Sequence, residues 1–392
     1  MDFALTDEQR MLEETLTRLV ADQVSPEQRR TMLAATPNGA SALWRTFAEL
    51  GLLHMPFSED VGGLGGDGTD LMIIMQALGR GLVPEAYLAG LVLPGQLLAL
   101  TANSDQQTQW LTPLLEGEHQ LAFAWQEHNA RYDALAIATQ ATQQDGQWQL
   151  SGRKDVVLNL EAAAASLVTA RLDNGKLGLF IVPANAPGTS SYFYRTIDDQ
   201  PAGDLTLDNV KLPPANCLSD DVGDALAEVL ALGRAALCAQ AIGAMEEACD
   251  QTLAYLKERK QFGMPLSTFQ ALQHRMVDMH LHLEQSRSMA ILAATSLTLP
   301  ASERDYKIAA AKAYCGESAR FIAEQAIQLH GGMGMSEECY VASYAKHLVM
   351  FDHHLGDSDY HLETVSELLK VAQQCCLEKL KWSAICQTHS AS

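Results

Sequence analysis

Apolar residues in the first part of the chain recur every three or four positions, which is the spacing of amphipathic helices. The first such run follows Thr6, which forms a capping-box pattern with Gln9. A glycine-rich stretch at 61–68 does not follow a strand within a strand–helix–strand unit. It therefore predicts a loop before a helix near 69–80 and not a dinucleotide site. Together these patterns predict an N-terminal helical domain over residues 1–120.

Around residue 121 the pattern changes to short β-rich runs separated by turn residues. Asp145-Gly146 lies between two of these runs and predicts a β-hairpin. The runs end near Pro213-Pro214. We therefore expect a middle β-barrel-like domain over residues 121–222.

After the prolines, helical spacing returns and continues without proline from 224 to 259, enough for a helix about 50 Å long. Ser267 and Gln270 form a second capping-box pattern, and Gly331 is placed to end a later helix. These features predict a C-terminal four-helix-bundle domain over residues 223–392. The predicted fold class is thus α+β, with three domains in the order helical, β, helical.

Composition limits the class of partner. The chain has 392 residues and a net charge of -21, which argues against nucleic acid or an anionic membrane surface. Its eight cysteines are irregularly spaced, as expected for free thiols in a reducing cytosol. The acidic start shows no signal peptide. The apolar run at 81–100 is interrupted by Glu85 and prolines, so we expect a buried helix, no membrane span and a cytoplasmic protein.

A basic corner is predicted between two long helices. Arg259 and Lys260 precede Phe262 and Gly263, close to the start of the next helix. A helix start beside an arginine suits a phosphate or pyrophosphate, because free N–H groups and a forked donor point at the anion. Two solvated surface cations would leave the same pattern.

This corner also carries a family resemblance. ERKQFGMPLSTFQALQHRMVDM, followed by QLHGGMG at 328–334, resembles the two signatures of the acyl-CoA dehydrogenase family of flavoproteins. The likeness extends from DFALTDEQR at 2–10 to the C-terminal helices, and it is greatest to bacterial small-subunit types such as those of pimeloyl-CoA dehydrogenase. It implies FAD-dependent α,β-dehydrogenation of an acyl-CoA thioester, an electron-transfer flavoprotein as electron acceptor, and a homo- or hetero-tetramer with a homologous large subunit.

The resemblance also implies that each FAD lies between two subunits. This chain keeps the family residues that reach across to the pyrophosphate and adenosine of a neighbour. They are Arg259, Gln261, Phe262, Phe269, Gln270, Gln328, Leu329, His330, Gly331 and Gly332. The residues that hold the ring of a subunit's own FAD are altered. Gln126 takes the place of the family Thr, and Val156 and Leu158 take the places of Trp and Thr.

The catalytic base is altered as well. The family base is a Glu in an aromatic–Glu–Gly–Thr motif, and this chain has Asp352 at that position, followed by two histidines. Some members instead place a Glu before an Arg on the long helix, but here Gly233 precedes Arg234. Asp352 is therefore the only candidate base at either family position, with Arg234 as its expected companion in the site. The His and Asp residues at 347–361 lack a metal-site spacing, so no metal is expected.

Four functions fit these observations. The chain could complete the FAD site of a catalytic partner in a heteromer, or it could act as a self-sufficient homo-oligomer with Asp352 as base. Nitroalkane oxidases share the fold and use an Asp base, which gives a third possibility. The fourth is a structural subunit without catalysis.

Overall fold

The protein is described by a computed structural model that covers residues 4–35 and 41–370. The helices are α1 (Asp7–Gln23), α2 (Pro26–Ala34), α3 (Ala42–Glu49), α4 (Gly68–Arg80), α5 (Leu93–Thr101), α6 (Ser104–Gln106), α7 (Thr112–Leu115), α8 (Gly223–Glu258), α9 (Gln270–Ser296), α10 (Ala301–His330) and α11 (Val341–His353), and residues 358–370 are also helical. The strands are β1 (Gln120–Ala124), β2 (Gln140–Gln144), β3 (Gln147–Leu158), β4 (Ala163–Leu172), β5 (Leu177–Pro183), β6 (Thr189–Arg195), β7 (Pro201–Leu212), β8 (Cys217–Ser219), β9 (Lys260–Gln261) and β10 (Met264–Pro265). The predicted order of helical, β and helical parts is confirmed.

The N-terminal part begins as its sequence predicts. The Thr6 hydroxyl accepts a hydrogen bond from the Gln9 amide at 3.2 Å, and the Gln9 side chain accepts one from the Thr6 amide, which completes the capping box. The glycine-rich stretch is the loop before α4, and Asp67 caps that helix. The apolar run at 81–100 becomes a π-helical turn followed by α5 and is mostly buried, as expected.

The middle part is one eight-stranded sheet in the order β6-β7-β3-β2-β4-β5-β8, with β1 added parallel to β4. Asp145 and Gly146 form the β2–β3 turn with φ of 51° and 74°, the left-handed pair that a two-residue hairpin needs. The pairing of β3 with β7 shifts register between Lys154 and Val157. This β-bulge places Val156 at φ 52°, a strained conformation for a β-branched residue.

The C-terminal part packs α8, α9, α10 and α11 around a second apolar core that includes Met245, Met279, Ile322 and Leu348. Helix α8 has 36 residues and is long and apolar enough to cross a membrane, but 67% of its most apolar window is buried in the protein. It is therefore the central helix of this core.

One predicted helix start is wrong. Helix α9 begins at Gln270 and not at Ser267, and no side chain caps it. Leu266, Ser267 and Thr268 instead form a 3-10 turn, in which the Thr268 hydroxyl donates to the Pro265 carbonyl at 2.7 Å. Leu266 packs against the C-terminal core. Because Ser267 lies within this turn, it does not form the predicted capping box with Gln270.

Candidate active site

A cleft opens where the three parts of the chain meet. Its volume is about 1240 Å³ when the region at its opening to solvent is included. The N-terminal part contributes residues 82–89, and the sheet contributes Phe123, Trp125 and Gln126 together with the β3 bulge. The C-terminal part contributes α8 at Leu237 and the end of α11. A largely apolar concavity with a few polar groups is the usual form of a small-molecule site.

The sheet wall of this cleft contains both ring-contact positions named from the sequence. Gln126 and Val156 line the cleft together, joined through the backbone of Asp155, whose amide donates to the Gln126 carbonyl at 2.9 Å. The strained Val156 amide donates to the Asp204 carboxylate at 3.1 Å, which holds the bulge in place. Val156 and Leu158 therefore present only apolar side chains to the cleft. At these two positions the wall offers a flavin ring no polar side-chain group.

A buried ion pair supports this wall from behind, and sequence reasoning missed it. Lys154 is fully buried and donates to Glu127 at 2.6 Å and to the Thr169 hydroxyl at 3.1 Å. Burial lowers the pKa of Lys154 to about 8, although Glu127 opposes that shift. Burial would raise the pKa of Glu127, but Lys154 and the Thr139 hydrogen bonds outweigh it and leave that pKa lowered. The only sequence signal was a lysine at an inward position of β3.

Asp352 does not lie among the residues that line the cleft. It is 1% exposed, and its carboxylate points into the C-terminal part. One oxygen accepts from the Ser358 amide at 3.0 Å and the Ser358 hydroxyl at 2.6 Å, and the other accepts from Arg320 at 2.5 Å. Burial opposes ionisation, but Ser358, Lys312 and Arg320 outweigh it and lower the pKa of Asp352. The carboxylate already has partners on both oxygens.

Buried Lys312 fixes the turn that follows Asp352. Its ammonium donates to the carbonyls of Phe351, Asp352 and Gly356 at 3.0, 3.2 and 2.9 Å. Gly316, one helical turn further along α10, leaves no room beside the carboxylate, since an added Cβ would stand 2.2 Å from Asp352 Oδ1. The turn is therefore held by α10 in one arrangement.

Arg234 also serves this turn. Its Nε donates to the Leu355 carbonyl at 3.0 Å, and burial lowers the pKa of its guanidinium. It is not among the residues that line the cleft. The structure thus brings Arg234 and Asp352 to the same turn, but both act on its backbone and neither faces the cleft.

The two histidines after Asp352 do face the cleft. His353 is exposed, and His354 has a buried Nε2 atom without a hydrogen-bond partner in the described part of the chain. Burial lowers the pKa of His354 to about 4, so its ring is neutral at physiological pH. The fixed turn therefore presents imidazoles where the family motif presents Gly and Thr.

The second predicted set of residues lies away from the cleft, on the surface of the C-terminal part. Arg259 ends α8 and is exposed, and the β9–β10 hairpin carries Phe262, which is 88% exposed. Phe262 contacts Phe269 edge to face with ring centres 6.2 Å apart. Gln261 is exposed and donates to the carbonyl of neighbouring Lys260. Gln270 is exposed at the first position of α9.

The end of α10 lies beside the last turn of α8. Tyr255 of α8 stacks on His330 with ring centres 4.4 Å apart, which joins the two helix ends. Leu329 and His330 are buried at 5% and 6% exposure, so their side chains pack inside the C-terminal part. Gln328 is exposed, and beside it Gly331 and Gly332 have open space where a Cβ would stand.

Comparisons with known proteins identify the family of the chain. Residues 6–118, 122–210 and 223–370 match the family models for the N-terminal, middle and C-terminal domains of acyl-CoA dehydrogenase. The probable acyl-CoA dehydrogenase YngJ of Bacillus subtilis (strain 168) is 32% identical, over 86% of this chain and 91% of its own length. The chain belongs to the acyl-CoA dehydrogenase family. It is a member of a family of FAD-dependent oxidoreductases that act on acyl-CoA thioesters.

Two solved structures share the fold. A variant of the steroid ACAD Tcur3481-Tcur3483 superposes with a TM-score of 0.85 at 28% identity, over 94% of this chain and 99% of its own. The ChsE4-ChsE5 complex from Mycobacterium tuberculosis superposes with a TM-score of 0.86 at 24% identity, over 94% of this chain and 99% of its own. Solved structures with the same fold also include one complex with FADH2 and one with FAD.

The two sets of residues fit FAD unequally. The exposed arginine, aromatic hairpin and open glycines suit a pyrophosphate and a flat ring system, because a cation, a stacking surface and close backbone approach are available. The cleft fits the flavin ring less well, since Val156 and Leu158 offer no polar side-chain group and the Asp352 carboxylate is engaged elsewhere. When bound, FAD supplies the acceptor for the β hydride of the acyl chain.

Proposed function

We propose that this chain is one subunit of a heteromeric FAD-dependent acyl-CoA dehydrogenase and completes the FAD site of a homologous catalytic subunit. The partner would be a chain that retains the Glu base and the ring contacts. This subunit would contribute the exposed basic corner, the hairpin and the glycines at the end of α10. The proposed electron acceptor is an electron-transfer flavoprotein.

The observation that carries the proposal is the environment of Asp352. A general base must reach a substrate proton directly or through one water. The Asp352 carboxylate is buried, lies outside the cleft lining and accepts from Ser358 and Arg320. Its low pKa also makes it a weak base, because ionisation is already favoured. A homo-oligomer with Asp352 as base would require this turn to be rebuilt.

The exposed residues that were predicted to reach the FAD of a neighbouring subunit support the same proposed role in a heteromer. Phe262 is 88% exposed and Met264 45% exposed on the hairpin that follows Arg259, and Met335 after α10 is 77% exposed. Exposed apolar groups of this kind mark interaction sites. The names of Tcur3481-Tcur3483 and the ChsE4-ChsE5 complex each pair two chains, which supports a paired arrangement for this chain.

The test is flavin stoichiometry. The chain is purified alone and also co-expressed with a homologous chain that retains the family Glu and ring contacts, and FAD per chain is measured from the visible spectrum. We expect little FAD in the chain alone and one FAD per unlike pair in the complex. One tightly bound FAD per chain without a partner contradicts the proposal.

A pair of variants shows whether this chain contributes to the FAD site. Arg259→Gln should weaken FAD binding by the complex about 10- to 100-fold, the value of a charge-assisted hydrogen bond. Lys257→Gln removes an equally exposed cation from the last turn of α8 and should leave affinity within about twofold. Equal losses of FAD affinity in the two variants would mean that binding depends on the overall charge of this surface and not on Arg259 itself.

A further inference from the structure

We propose that Glu85 and His354, which both line the cleft, are the polar groups that recognise an uncharged oxygen-bearing group on the molecule filling it. The ligand class is an apolar ring or chain with a hydroxyl or carbonyl oxygen. This proposal concerns the chain's own cleft and does not depend on which subunit holds the flavin ring.

Glu85 lies in the loop between α4 and the π-helical turn, and it lines the cleft. Its Oε1 accepts the hydroxyl proton of Ser41, whose oxygen accepts from the Trp44 amide at 2.9 Å and so caps α3. Within residues 4–35 and 41–370, no partner is recorded for the second oxygen of Glu85. Burial raises the pKa of this carboxyl, so it is poorly hydrated and available to a ligand.

His354 supplies the second polar group. It is held by the turn that Lys312 fastens, and its Nε2 is buried without a partner among the described residues. A buried polar atom of this kind loses its water without regaining a hydrogen bond. Because the neutral imidazole has one N–H and one lone pair, it can pair with a hydroxyl in either direction or with a carbonyl in one.

The remaining charges explain why the ligand group should be uncharged. Arg29, the guanidinium on the cleft wall, already donates to the Leu82 carbonyl at 2.9 Å and the Asp198 carbonyl at 3.5 Å. Asp199 lies 3.9 Å from it, and Asp198 lies 3.3 Å from His347. Among the described residues that line the cleft, no arginine or lysine is left uncommitted for an anionic group, and the cleft carboxylates would repel one. The body of the ligand would contact Tyr87, Leu93, Phe123 and Leu237.

The test uses four naphthalene derivatives that differ only in the substituent at the β position. Their binding to the full-length chain is measured by equilibrium dialysis at neutral pH. They are β-naphthol, β-methylnaphthalene, β-naphthoate and β-naphthylmethylamine. We expect β-naphthol to bind about tenfold more tightly than β-methylnaphthalene, the value of one hydrogen bond to a buried group. The carboxylate probe should bind more weakly than the naphthol because the cleft carboxylates repel it. The ammonium probe should also bind more weakly, because burying its charge costs more than one partly buried carboxyl returns.

Variants of Glu85 and His354 test whether these residues cause the preference for β-naphthol. In Glu85→Leu and in His354→Phe, the affinities for β-naphthol and β-methylnaphthalene should become equal within about twofold. Glu49→Leu, an exposed acid on α3, should keep the wild-type preference. If Glu85→Leu fails to fold, Glu85→Gln keeps the side-chain shape and should reduce the preference. Failure of every probe to bind, tightest binding of a charged probe, or a preference unchanged in both cleft variants would overturn the proposal.

Discussion

Replacing Asp352 with Asn separates a structural carboxylate from a catalytic base. Asn keeps one acceptor oxygen for Ser358 but loses the negative charge and turns an amide toward Arg320. It also leaves Lys312 buried without its nearby carboxylate. We expect the variant to lose stability and to keep most of its turnover in the complex with a catalytic partner.

The size of the loss follows from the contacts. Hydrogen bonds to a charged group contribute about 1.5–3 kcal/mol each, and the two from Ser358 are only partly lost in Asn. The Arg320 pair contributes little, about 0–1 kcal/mol, because that side chain is 55% exposed. An uncompensated buried charge, here that of Lys312, costs about 3–5 kcal/mol at most. About 3 kcal/mol in total is a reasonable expectation, which lowers Tm by roughly 6–12 °C if a unit of about 150–250 residues unfolds together.

The assay combines thermal unfolding with turnover of an acyl-CoA panel by the complex. Asp359→Asn is the matched control, because Asp359 is exposed in the next helix, and it should change stability by less than about 0.5 kcal/mol. A base would behave in the opposite way, with turnover reduced about 100-fold or more and Tm unchanged. That second result would refute the structural role of Asp352.

The pH dependence of the same variant gives an independent check. The pKa of Asp352 is lowered in the folded state, so its stabilisation is complete above the unfolded pKa of about 3.9 and is lost as pH falls through the folded pKa. The Tm difference between wild type and Asp352→Asn should therefore be constant above about pH 5 and shrink below about pH 4. A difference that first disappears near neutral pH would point to another group.

Three further predictions test the surrounding structure. Because the pKa of buried His354 is lowered to about 4, stability should fall as pH drops from about 6.5 to 4, and His354→Phe should make that fall shallower in pH-dependent unfolding. Gly316→Ala should lower Tm by several degrees, since its Cβ would stand 2.2 Å from a carboxylate oxygen, whereas Gly332→Ala, with open space around it, should change Tm by less than about 1 °C. Lys154→Met should cost about 3–5 kcal/mol in chemical denaturation by leaving Glu127 unpaired, and adding Glu127→Gln should restore part of that loss.

Features set by neighbours in the sequence were predictable. The Thr6 capping box, the Asp145-Gly146 turn and the limits of α8 each depend on residues within a few positions, so composition and spacing carried the information. The failed cap at Ser267 shows the limit of such rules. There the local pattern was present, but a turn anchored in the core by Leu266 overrode it.

The contacts of the two buried lysines, Lys154 and Lys312, were not predictable in the same way. Lys154 is 27 positions from Glu127, and Lys312 is 40 positions from the Asp352 carbonyl that it binds. A lysine in an apolar helix or strand is ordinarily exposed, so its sequence neighbours gave no reason to expect burial. Only the fold brings these groups together, and the role of Asp352 depends on it.

Asp352 has a structural role at the family's base position. Its carboxylate accepts the amide of Ser358, the first residue of the helix at 358–370. A carboxylate is favourable at that helix N-terminus, and the Lys312 ammonium is favourable at the C-terminal carbonyls of α11. The two charges thus stabilise both sides of one turn. The Asp at the family's base position therefore takes part in a capping interaction at the start of the next helix.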